Sequence, residues 1–119
     1  MSVRIQSLGL QDSPGEDYHL ASDKLIRGNP RQTLWLEYSD ATRQFHSGIW
    51  RSEPGQWRVA YTEEEYCQMI AGVCVLRGDD GSEFTARAGD SFVVPRGFVG
   101  TWEVVEAATK RFVIYEAAT

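Results

Sequence analysis

Apolar and polar side chains alternate along most of this chain, from Thr33 to Tyr115. An alternation with a period of two is typical of strands that bury one face. A new alternating segment starts about every ten residues, a spacing typical of β-sandwiches and closed barrels. About nine segments carry the pattern: 33–38, 45–50, 56–61, 66–70, 73–76, 83–87, 91–94, 101–105 and 111–115. The sequence therefore predicts an all-β domain.

Turn-forming residues separate these segments. Asp80-Gly81 is a strong hairpin signal, because glycine accepts the positive φ that tight hairpin turns require. Residues 1–32 differ, since turn formers are scattered there among isolated apolar residues. We expect them to form an irregular N-terminal arm with a short strand or a single helical turn. Residues 33–119 are expected to form the barrel of a one-domain protein.

The charge balance narrows the classes of partner. Twelve basic and 17 acidic residues give a net charge of −5, and no stretch concentrates the basic ones. This argues against nucleic acid, because a phosphate backbone requires a basic surface. No run approaches the roughly 18 apolar residues of a membrane span, and the N-terminus lacks the apolar region of a secretory signal. We expect a cytoplasmic protein with no membrane partner, whose two cysteines are free thiols.

Residues 72–97 carry a recognisable pattern. Gly72-Val-Cys-Val-Leu76, Asp80-Gly81 and Gly89-Asp90 followed by Pro95-Arg-Gly97 resemble the two motifs of cupins. The flanking sequence, within residues 33–116, is similar to the single-domain branch that includes ureidoglycine aminohydrolase and the ethanolamine-utilisation cupin. The resemblance implies a cupin-type jelly-roll barrel (double-stranded β-helix), often a homodimer, with any site inside the barrel mouth. An arm that pairs across the dimer interface would cover an open barrel edge.

The resemblance also locates where a cupin metal would be held. It assigns the family's glutamate to Glu65, but the family's histidine positions fall on Val59, Tyr61 and Gly100. Because a divalent ion usually needs three or more protein ligands, we expect no cupin metal and no cofactor. A different metal site would have to recruit Glu63, Cys67 or His46.

Strand alternation provides a candidate binding site. If Glu65 points into the barrel, Cys67 and Met69 follow it inward and Tyr66, Gln68 and Ile70 face outward. Tyr61 stands at a histidine position, and Trp102 is placed to close one wall. The predicted ligand-binding residues are Tyr61, Glu65, Cys67, Met69 and Trp102. For each of them, ordinary core packing is the alternative interpretation, and for Glu65 it is an internal salt bridge with an arginine or with Lys110.

The sequence leaves three interpretations of the function open. The first is a small polar metabolite bound in the barrel without a metal. The alternative is an enzyme of aminohydrolase or isomerase type, with Glu65 or Glu63 as general base and Tyr61 or Lys110 as electrophile, in one variant assisted by a metal. A third interpretation is a structural dimer whose barrel is filled by its own side chains.

Overall fold

The computed structural model describes residues 3–9 and 14–118. Within them, nine strands account for nearly all regular structure, with one 3-10 turn at Ser22–Lys24. The strands are β1 (Glu16–Tyr18), β2 (Leu25–Arg27), β3 (Gln32–Ser39), β4 (Phe45–Ser52), β5 (Gly55–Ala60), β6 (Glu64–Gly78), β7 (Glu83–Arg87), β8 (Ser91–Val94) and β9 (Val99–Tyr115). No helix of this described portion is long and apolar enough to cross a membrane.

Two long strands, β6 and β9, organise the barrel. They pair with each other along most of their length, and every ladder of the sheet is antiparallel. The first part of β6 pairs with β8 and its last part with β7, while β9 pairs with β5 and then with β4. Each long strand thus contributes to both halves of a folded sheet. This arrangement confirms the predicted all-β jelly-roll barrel of cupin type.

The number of strands predicted from Thr33 onward was wrong: the sequence predicts nine, and the structure has seven there, β3 to β9. The separate segments 66–70 and 73–76 are parts of β6, and 101–105 and 111–115 are parts of β9. Register shifts around residues 69–74 bend β6 without ending it, as bulges do. Gly72 lies at this bend with φ of +86°, and a Cβ there would clash with the carbonyl oxygen of Ala107. Gly72 therefore marks a bend within β6 and not the boundary between two strands that the sequence predicts.

The core lies between the two halves of the sheet. Trp50 packs edge-on against Trp57 and Trp102, with ring centroids 6.3 Å and 5.8 Å apart. The alternation predicted for β6 is confirmed: Glu65, Cys67 and Met69 are buried, while Tyr66, Gln68 and Ile70 are exposed. All three tryptophans line a cavity in the barrel interior.

Candidate functional site

A cavity of about 660 Å³ occupies the barrel mouth. The interior faces of β3, β4, β5, β6 and β9 line it, together with the N-terminal arm. Of the predicted residues, six line the cavity: Tyr61, Glu63, Glu65, Trp102, Lys110 and His46, the last of which was a candidate for a different metal site. Two of the five predicted ligand-binding residues do not line it: Cys67 and Met69 are fully buried in the core.

A buried ion pair forms part of the cavity wall. Lys110 Nζ lies 2.8 Å from Glu65 Oε2, and both side chains are only 6% exposed. The ammonium also lies 4.2 Å from the ring centroid of Trp102 and 4.7 Å from that of Trp50. Both distances are within the range of cation–π attraction, which strengthens where water is excluded. Lys110 is thus held by one carboxylate and two indole rings.

The environment of Lys110 keeps it charged. Burial is the largest single influence and would lower the pKa of this ammonium, but the charge of Glu65, the hydrogen bond to it and smaller contributions from Cys67 and Cys74 together raise the pKa of Lys110. Lys110 is therefore a cation at neutral pH and not an amine nucleophile.

Tyr61 completes the polar cluster. Its hydroxyl donates a hydrogen bond to Glu65 Oε1 over 2.7 Å, so each oxygen of that carboxylate has a partner. Burial, and next the charge of Glu65, raise the pKa of Tyr61. Burial likewise raises the pKa of the neighbouring Cys67 thiol to about 12. Both groups stay protonated at neutral pH, so neither is an activated nucleophile.

Glu63 is the freer of the two candidate carboxylates. Its side chain is half-buried, lines the cavity and accepts a hydrogen bond from the backbone N–H of Thr62. Across the residues placed by the structure, no lysine, arginine or histidine pairs with it. A carboxylate with a vacant oxygen is the better placed one to meet a ligand.

The arm contributes residues that the sequence analysis missed. Tyr18, Leu20 and Lys24 line the mouth of the cavity. The arm crosses this mouth because β1 pairs with β3 and β2 pairs with β5, at opposite ends of the strand order. One signal was available: the chain contains only two lysines, Lys24 and Lys110, and both line the cavity.

A second missed residue is Gln32, at the start of β3. It lines the cavity but is only 2% exposed, and its Oε1 accepts a hydrogen bond from Trp50 Nε1 over 3.0 Å. Its Nε2 has no hydrogen-bond partner among the described residues. A buried donor without an acceptor costs free energy.

Comparison with known families settles the family of the chain. The family model described as the EutQ-like cupin domain matches residues 39–112. The chain belongs to the EutQ-like cupin domain family. No curated protein sequence matches it.

Solved structures share the cupin fold. A protein of unknown function from Pseudomonas syringae is similar at 20% identity and a TM-score of 0.78, over 86% of this chain and 44% of that one. The EutQ protein of Clostridium difficile is similar at 17% identity and a TM-score of 0.65, over 74% of this chain and 64% of that one. A Rhizobium leguminosarum protein of unknown function is similar at 16% identity and a TM-score of 0.65, over 98% of this chain and 100% of that one. The cupin thus spans less than two thirds of the first two chains, and likeness at these identities establishes the fold alone.

The donor set of this cupin does not fit a metal ion of the usual cupin kind. Val59 and Gly100, at two of the histidine positions, offer no donor atom. Tyr61 and Lys110 engage the two oxygens of Glu65. In the part of the chain that is described, no three side chains from His, Cys, Asp and Glu come together as a metal site. The ammonium group of Lys110 balances the charge of Glu65.

Proposed function

We propose that this cupin binds a small polar metabolite with an apolar portion in its barrel, without a metal ion. The observation that carries the proposal is the cavity of about 660 Å³ with the Lys110–Glu65 pair in its wall. Volumes of about 300–1,000 Å³ are typical of small-molecule sites. A cavity of this size argues against a barrel filled entirely by its own side chains.

The charges around the cavity favour a ligand with no net charge. Lys110 and Glu65 neutralise each other, and Arg58 is held by Asp79 through two hydrogen bonds of 2.9 Å and 2.8 Å. Lys24 and Glu63 then leave one positive and one negative group at the wall. An uncharged or zwitterionic ligand matches this balance, whereas a multiply charged one would lack enough counter-charges.

The walls favour a ligand that is partly apolar and partly hydrogen-bonding. Leu34, Phe112 and Ile114 supply apolar surface. The vacant oxygen of Glu63 supplies a hydrogen-bond acceptor at the wall.

Native mass spectrometry of the protein purified without chelator tests this proposal. We expect a bound organic molecule, or uptake of one from a metabolite extract, and much weaker binding by Glu63→Gln. The matched control is Glu106→Gln, at an exposed site outside the cavity wall, which should bind as the wild type does. Equal binding by both variants, or a wild-type protein that takes up nothing, contradicts the proposal.

A second candidate is an enzyme that uses Glu63 as general base. It is favoured by one observation: both oxygens of Glu65 are engaged, whereas Glu63 has room to accept a proton. If the bound molecule is converted, Glu63→Gln should abolish turnover. Glu65→Gln should mainly lower stability, because it breaks the buried pair. Turnover that survives Glu63→Gln excludes this candidate.

A further inference from the structure

Two side chains at the rim of the cavity form a hydrogen-bonded pair that the proposed function leaves unused. Ser39 ends β3 and His46 lies near the start of β4, and the register places them directly opposite each other. Residues directly opposite each other on neighbouring strands share a face of the sheet. His46 lines the cavity, so Ser39 also belongs to the inner face, at its exposed rim. The hydroxyl oxygen of Ser39 lies 2.7 Å from His46 Nδ1.

The second ring nitrogen of His46 decides which member of the pair donates. His46 Nε2 lies 3.0 Å from the carbonyl oxygen of Arg43. A carbonyl oxygen can only accept a hydrogen bond, so Nε2 carries a proton. In the neutral imidazole ring the other nitrogen is then an acceptor, and the hydroxyl of Ser39 donates to Nδ1. This is the arrangement of a nucleophile beside a general base that a third group orients.

The turn between β3 and β4 holds the orienting carbonyl in place. Arg43 has a φ of +61°, and among the described residues it is the only one other than glycine in the left-handed region. A residue with a side chain stays in that region only where surrounding contacts hold it. Asp40 supplies such contacts, because its Oδ1 accepts hydrogen bonds from the N–H groups of Gln44 and Phe45 over 3.1 Å and 3.2 Å. Backbone strain of this kind clusters at functional sites, and here it fixes the acceptor for His46.

The cavity wall beside the pair is apolar. Ile114 on β9 lies directly opposite His46. Phe112 and Leu36 lie one inward-facing position further along β9 and β3. All three apolar side chains line the cavity, which is large enough for a small organic molecule. A short acyl chain that packs on this wall would therefore bring its carbonyl carbon close to the hydroxyl of Ser39.

We propose that Ser39 and His46 transfer acyl groups from small uncharged esters to water. Ser39 Oγ bonds to the carbonyl carbon while its proton passes to His46 Nδ1, and the alcohol leaves with that proton when its bond to the carbon breaks. Water then attacks the acyl group, His46 moves a proton from the water to Ser39 Oγ, and the acid is released. The inference goes beyond metabolite binding and shares only the cavity with the proposed function.

Labelling of the full chain with an alkyl fluorophosphonate tests the proposal, because this reagent bonds to an activated serine and releases fluoride. Peptide mapping by mass spectrometry should find the label on Ser39, and Ser39→Ala should take up none. His46→Gln should react at least about 100-fold more slowly, since a general base contributes about 10²–10⁴-fold. Ser91→Ala is the matched control, because Ser91 is also exposed but its hydroxyl is hydrogen-bonded to Tyr66, and this variant should react as the wild type does.

Two further measurements separate acyl transfer from a purely structural hydrogen bond. Hydrolysis of p-nitrophenyl butyrate should be lost in Ser39→Ala and kept in Ser91→Ala, with circular dichroism to check the fold of each variant. Nitrogen NMR of the wild type should place the proton of the neutral His46 ring on Nε2. Neither assay needs a bound metabolite, so failure here leaves metabolite binding intact. The proposal is overturned by a wild type that takes no label or takes it elsewhere, by undiminished labelling of His46→Gln, by ester hydrolysis that Ser39→Ala retains, or by a neutral His46 ring protonated on Nδ1.

Discussion

Replacing Lys110 with methionine should destabilise the protein strongly. Methionine keeps most of the side-chain volume but leaves the Glu65 carboxylate buried without its cation. Both side chains of the pair are only 6% exposed, so water cannot compensate. Removing one partner of a buried pair costs about 3–5 kcal/mol. This is a large fraction of the roughly 5–15 kcal/mol that stabilises a typical domain.

The double variant Lys110→Met with Glu65→Gln separates the ion pair from simple packing. Once both charges are gone, Tyr61 can still donate its hydrogen bond to the amide oxygen of Gln at position 65. The double variant should therefore be more stable than either single variant, with a coupling energy of about 2–3 kcal/mol.

Urea unfolding followed by tryptophan fluorescence measures these free energies, because Trp50 and Trp102 flank the substituted ammonium. Double-variant losses that equal the sum of the single losses would refute the reasoning. So would a Lys110→Met variant within about 1 kcal/mol of the wild type, since an exposed pair contributes no more than that.

Three further outcomes follow from the buried thiols and from the bend in β6. Burial raises the pKa of Cys67 and Cys74, so above about pH 8.5 the unfolded chain loses protons that the folded protein keeps. The free energy of unfolding should therefore fall by up to about 1.4 kcal/mol per pH unit for each thiol. Thermal melts from pH 7 to pH 10 check this, and a melting temperature that does not change over this range would exclude it. Both thiols should react with a colorimetric thiol reagent only after denaturation, because both are fully buried; rapid reaction of the native protein would show that they are accessible. Gly72→Ala should lower the melting temperature by several degrees, because the new Cβ clashes with the carbonyl of Ala107 and φ is positive there. Gly81→Ala is the control, because its Cβ meets open space and only its φ of +91° is strained. Equal losses of melting temperature in the two variants would argue against the clash.

The sequence predicted what depends on local alternation. Once Glu65 is placed inside the barrel, the pleat of the strand decides that Cys67 and Met69 are buried and that Tyr66 is exposed. Lys110 was a candidate partner for Glu65 by its rarity in the chain and its strand position, and the structure confirms that contact.

Long-range placement could not be predicted in the same way. That the ammonium lies against Trp50 and Trp102 depends on how the barrel closes, and no local pattern encodes that closure. The arm residues Tyr18 and Lys24 line the cavity through two short ladders in a stretch without periodicity. The bend of β6 was missed because a bulge interrupts the register while leaving the strand intact.

Nitrogen NMR of the lysine ammonium groups tests the central claim most directly, because the chain has only two lysines and the spectrum should hold two signals. Lys24 is exposed, so its ammonium protons should exchange rapidly with water. Lys110 should exchange its ammonium protons slowly, carry ring-current shifts from Trp50 and Trp102, and stay protonated above about pH 10.4, the ordinary pKa of a lysine side chain. A Lys110 signal that exchanges rapidly, lacks ring-current shifts and titrates near about pH 10.4 would contradict a buried cation held by Glu65.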